Sequence, residues 1–183
     1  MRGFDSRIHG LAPALVRAVW AVLIGVPLLT AADRGAGPGA WPRVHAGDAF
    51  TTAAVRGSLA GASRWLGDAR CQSVFSDFRD LSGRPLQDKL AELGMTGQGY
   101  LEIIVFRDGS RIDGCARGNA LAITTPASRV VFVCGREFAR AWRVDRRLAQ
   151  AVIIHEALHS LGLGENPPSS QAITHRVLQQ CGW

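Results

Sequence analysis

Lysine and tyrosine occur once each in this 183-residue chain, as Lys89 and Tyr100, and the two methionines are Met1 and Met95. Positive charge therefore rests on arginine, and the formal balance is +6 at pH 7. No apolar run reaches the roughly 20 residues that span a bilayer comfortably. No internal repeat is visible, and no basic stretch carries interleaved aromatics, so nucleic-acid binding is not expected. No Cys-x-x-Cys pair occurs, which removes the usual cysteine zinc sites. No aspartate or glutamate follows Glu165.

What is present suits one exported domain. A hydrophobic content of 47% over 183 residues allows a single core and excludes a second catalytic domain. Arg2, Arg7 and Arg17 precede the apolar run Ala18–Ala32, which Pro27 interrupts and polar Asp33-Arg34 follow. This is the layout of a secretory signal peptide over residues 1–32, with Thr30-Ala31-Ala32 as the cleavage site. If the segment is retained, it becomes an N-terminal membrane anchor. Its removal deletes three arginines and Asp5, leaving +6 − 2 = +4. Cys71, Cys115, Cys134 and Cys181 form an even set, expected as two disulfides outside the cytosol; of three pairings, Cys71 with Cys115 and Cys134 with Cys181 is preferred. Arg136, Arg140, Arg143, Arg146 and Arg147 read as a solvated helix face, with an acidic partner or membrane surface as the alternative.

Residues 33–54, rich in glycine, alanine and proline, are expected to form a flexible lead-in, with the domain at 55–183. Val74, Phe75, Phe78 and Leu81 recur at helical spacing, and Pro85 to Gly94 has proline at the start and glycine at the end of a short helix. Tyr100–Phe106, Ala120–Thr125 and Arg129–Cys134 read as three strands of an antiparallel meander. Helices are expected from Glu137, over about 146–162, and around His175 after the Asn166–Ser170 turn. The fold class is α+β, a small antiparallel sheet of about three strands packed against the helix over 146–162 and its flanking helices.

That helix carries His155-Glu156-Ala157-Leu158-His159 within an apolar run. Histidines four apart stand one turn above each other, about 6 Å between Cβ atoms, so both imidazoles can reach one ion. Glu156 is rotated about 100° around the axis from His155, a position for a base rather than a ligand. Ile154, Leu158 and Leu161 continue a buried face, and buried histidine and glutamate need partners that a metal supplies. Gly162 allows a sharp turn that brings Glu165 back towards the metal as third ligand. His175, an upstream residue or water are the alternatives for that position.

This segment resembles the zincin superfamily of zinc metallopeptidases. The resemblance is strong over about fifteen residues. It implies His155 and His159 as zinc ligands and Glu156 as general base. The spacing His155-Glu156-x-x-His159-x-x-Gly162-x-x-Glu165 is similar to that of metzincins, with glutamate where they have a third histidine. Metzincins also carry a downstream methionine turn, and no methionine follows Met95. The resemblance further implies a substrate strand added to a sheet edge. A monomeric, secreted or periplasmic Zn2+-dependent hydrolase follows, most simply an endopeptidase of polypeptide substrates. Tyr100 and His175 are candidates for an additional oxyanion donor. The alternative is a non-catalytic secreted domain using the site for structural metal or ligand binding.

Overall fold

The computed structural model describes residues 43–118 and 120–182, so the expected signal peptide over 1–32 lies outside the described residues. The sheet begins at once with β1 (Arg43–His45). Asp48 then caps α1 (Ala49–Leu66), accepting from the Thr51 amide at 2.9 Å and the Thr51 hydroxyl at 2.7 Å. The lead-in expected through residue 54 is thus corrected from Arg43 onward: Val44 and Ala54 belong to the core despite their glycine- and alanine-rich surroundings.

Short helices follow: α2 (Ala69–Gln72), α3 (Val74–Asp77), α4 (Leu86–Glu92) and α5 (Gly97–Glu102). Two expectations fail here. The helical spacing through Leu81 breaks at Phe78, whose extended backbone ends α3 and leaves Leu81 78% exposed. The first half of the expected strand Tyr100–Phe106 is instead α5. Thr96 caps it by accepting from the Gly99 amide, and Tyr100 and Leu101 are buried, with α5 packed on α1. Capping and burial override the β-propensity of the segment.

The sheet is completed by β2 (Val105–Asp108), β3 (Ala122–Thr124) and β4 (Val130–Val133), with α6 (Asp113–Ala116) between β2 and β3. Its order is β1-β2-β4-β3. β1 pairs with β2 and β2 with β4 in parallel, and only β3 runs antiparallel, Ala122 opposite Val133. The expected antiparallel meander of three strands is therefore corrected to a mixed sheet of four, within the α+β class. The segment from β2 to β4 is not a hairpin series; it carries α6 and returns through β3 at the sheet edge.

Parallel pairing also corrects the disulfides. The chain leaving β2 and the residue after β4 lie at the same end of the sheet, where Cys115 of α6 bonds Cys134 with Cα atoms 4.9 Å apart. Cys71 of α2 bonds Cys181, the last residue of α9 (Ser170–Cys181), with Cα atoms 4.5 Å apart. The expected pairing of Cys134 with Cys181 would tie the C-terminal helix to the sheet; the bond to Cys71 ties it to α2 instead.

α7 (Gly135–Val144) leads into α8 (Arg146–Ser160), which Asp145 caps by accepting from the Arg147 and Leu148 amides. α8 packs against α1, α7, α9 and β3. Ile153, Ile154 and Leu158 have no exposed surface, each burial contributing about 2 kcal/mol. A helix apolar nearly all round belongs inside. The five arginines of α7 and α8 are exposed, and Arg143 and Arg146 stack on Phe50 and Trp142 at 4.6 and 4.7 Å. Among the described residues no helix is long and apolar enough to cross a membrane.

Candidate metal centre

His155 and His159 occupy successive turns of α8, and both are buried. Their Nε2 atoms face each other at 2.9 Å. His159 Nδ1 lies 2.8 Å from the Leu163 carbonyl, which only accepts, so this ring carries its proton on Nδ1 and a lone pair on Nε2. His155 Nδ1 lies 2.8 Å from Thr174 Oγ1 on α9. A hydroxyl can donate or accept, so Thr174 suits either tautomer of His155. When Nδ1–H donates to Thr174, both Nε2 lone pairs converge, and a cation between them satisfies both.

The chain turns at Gly162, whose φ of 111° is left-handed backbone that side chains rarely adopt. This turn returns Glu165 to the two imidazoles: its Oε1 is 3.8 Å from His155 Nε2 and 3.5 Å from His159 Nε2. His155, His159 and Glu165 are the group of potential ligands brought together among the described residues. Two ligand atoms about 2.0–2.1 Å from a tetrahedral ion stand roughly 3.4 Å apart, and the three edges, 2.9, 3.5 and 3.8 Å, bracket that spacing. The residues fit one small divalent ion, and their nitrogen and carboxylate donors suit several metals.

Burial, then the electrostatic influence of neighbouring His159, holds the His155 imidazole down to about 3, so it is neutral and able to ligate at neutral pH. Burial pushes the Glu156 carboxyl up to about 7; the Thr124 hydroxyl opposes this and the Glu165 carboxylate adds to it. Among the described residues, Thr124 Oγ1 nevertheless closes no hydrogen bond, and Glu156 Oε2 is likewise buried without a partner. An unpartnered buried carboxyl oxygen beside potential metal ligands is a costly arrangement for stability alone.

A cleft of about 740 Å³ opens over the group. His155, Glu156, His159 and Glu165 line it together with His175, the edge strand β3 and Leu148 and Val152 of α8. Compared with known proteins, the chain matches no family model, no curated protein and no solved structure. The site therefore rests on its own geometry.

Of the sequence candidates, His155, Glu156, His159 and Glu165 meet at one place. His175 lines the cleft but lies outside the ligand group, on the exposed side of α9. Tyr100 is excluded as an oxyanion donor: its hydroxyl is buried at the end of α8, donating to the Ser160 carbonyl at 3.1 Å. Thr174, Thr124 and the Leu163 carbonyl were not legible in the sequence. Each meets the motif through tertiary packing, without a local pattern to announce it.

Proposed function

We propose that the chain is an exported, zinc-dependent metallohydrolase, an endopeptidase that cleaves polypeptides in the cleft beside β3. One observation carries this reading: the three potential ligand atoms converge next to Glu156, a buried carboxyl whose Oε2 has no partner among the described residues, at the floor of an open cleft. A purely structural metal site more often closes four protein ligands around the ion and has no need of such a group. Here the ligand set is three, the arrangement that leaves a position for water or substrate.

When bound, zinc supplies Lewis acidity, which acidifies water and polarises a carbonyl oxygen. The protein does the rest. His155 and His159 are held in place through their Nδ1 atoms by Thr174 and Leu163. Glu156 takes the proton of the attacking water and delivers it to the leaving amine nitrogen; a carboxyl whose affinity for protons is raised towards neutrality is matched to both transfers. Among the described residues β3 pairs only with β4 and forms the sheet edge beside the cleft, where an extended polypeptide can add as a further strand. The two disulfides are consistent with an oxidising, extracellular or periplasmic location, in accord with the signal-like residues 1–32.

Glu156→Gln is the direct test. Elemental analysis should find about one zinc per chain in both proteins, while hydrolysis of a denatured protein substrate falls at least about a hundredfold in the variant. Retained hydrolysis would remove Glu156 from the mechanism, and a chain without zinc would remove the metal centre.

A further inference from the structure

Lys89 lies on α4, outside the cleft, and is the only lysine in the chain. Its Nζ is 2.8 Å from Asp80 Oδ2, and the Asp80 side chain is only 5% exposed. Asp80 Oδ1 accepts from the Ser82 amide at 2.8 Å, the Ser82 hydroxyl at 2.6 Å and the Arg84 amide at 2.9 Å. The Asp80 amide donates in turn to the Arg84 carbonyl at 2.8 Å. Residues 80–84 thus form a closed loop around one ionised carboxylate, which Lys89 first, and then Ser82 and Arg84, hold well below the usual carboxylate range.

This loop is pressed against the turn that leaves α8. Asp80 forms a β-bridge with Leu163, and the Leu81 amide donates to the Gly162 carbonyl at 3.2 Å. The contact is close: a Cβ on Gly162 would stand 3.0 Å from Lys89 Nζ and 3.3 Å from Asp80 Cβ. Leu163 supplies the carbonyl that accepts from His159 Nδ1. An unbroken series of polar contacts and paired backbone therefore runs from Lys89 through Asp80 and Leu163 to His159.

We propose that Asp80 and Lys89 are positioning residues for the metal centre, clamping the Gly162–Leu163 turn so that the Leu163 carbonyl fixes the His159 ring in its ligating orientation. The proposal rests on the metal-centre reading above. Neither residue touches the ligand atoms; both act through the turn. Loss of the pair leaves the imidazole in place on α8 but loosens the acceptor that orients it. Groups that orient a ligating histidine commonly govern metal affinity by about 10–100-fold.

The test uses the full chain with Asp80→Asn, Lys89→Gln and Lys89→Arg. Lys89→Gln leaves the hydrogen bonds of the loop to Asp80 intact, and so serves even if Asp80→Asn fails to fold. Zinc affinity is measured by competition with a chromophoric chelator, and Co2+ substitution reports ligand geometry through its visible absorption. Thermal unfolding is followed in parallel. The expected result is a loss of zinc affinity of about 10–100-fold in Asp80→Asn and Lys89→Gln with an altered Co2+ spectrum, while Lys89→Arg stays within a few-fold of the unsubstituted chain. Unchanged affinity and spectrum in Lys89→Gln, whatever happens to its melting temperature, overturn the proposal and leave the metal centre standing. Absence of zinc binding by the unsubstituted chain overturns both.

Discussion

His155 and Glu156 adjoin in sequence, are both buried, and depart from their ordinary titration in opposite senses. Glu156, raised from 4.5 to about 7, contributes stability that is complete below pH 4.5 and lost as pH rises through 7. His155, lowered from 6.5 to about 3, contributes stability that is complete above pH 6.5 and lost as pH falls through 3. Between 4.5 and 6.5 the two slopes oppose, each at most about 1.4 kcal/mol per pH unit. Urea unfolding of the chelator-treated protein should therefore show nearly level stability across that window. Glu156→Gln should turn the level stretch into a rise with pH, and a flat profile in the variant would contradict the opposed pair. These residues were legible because their spacing is local: one helix turn sets His155 and His159, and one glycine returns Glu165. Asp80, Leu163 and Thr174 reach them across the fold, and no local periodicity encodes such partners.

Among the elements, α9 does most to complete the site. It contributes Thr174 to His155 and carries His175 at the cleft, while Ile173 and Val177 are buried in the core. Thr174→Val keeps the shape of the side chain and removes the hydroxyl that accommodates both His155 tautomers. Zinc affinity should fall by about 10–100-fold with little change in helix content, measured by chelator competition and far-UV circular dichroism. Equal affinity in the variant would show that α8 alone orients the ring. α8 itself was legible from its apolar run, its glycine stop and its length. The sheet was not: β-rich composition marks Val105, Ile123 and Val131 as strand formers but says nothing of which strands neighbour. The order β1-β2-β4-β3, with its two parallel pairings, depends on contacts such as that between β1 and β2, far apart in sequence. Tyr100 was misread for a related reason, since its buried hydroxyl bond to Ser160 favours a helical turn that propensity alone does not.

At the scale of the whole molecule, the two disulfides differ in what they close. Cys71–Cys181 spans 110 positions and Cys115–Cys134 spans 19, so loop-closure entropy assigns them about 5 and 3 kcal/mol. Paired alanine substitution of Cys71 and Cys181 should lower the melting temperature more than substitution of Cys115 and Cys134. It should also weaken zinc binding, because it frees the end of the helix that holds Thr174. Equal shifts in melting temperature would show that strain or residual structure outweighs loop length. The long bridge also sets an order of events during synthesis. At about 5–20 residues per second, Cys71 waits roughly 5–20 s before Cys181 is even made. His155, Glu165 and Thr174 emerge within that same closing interval. The growing chain thus lacks the Thr174 partner of His155 until its last helix docks.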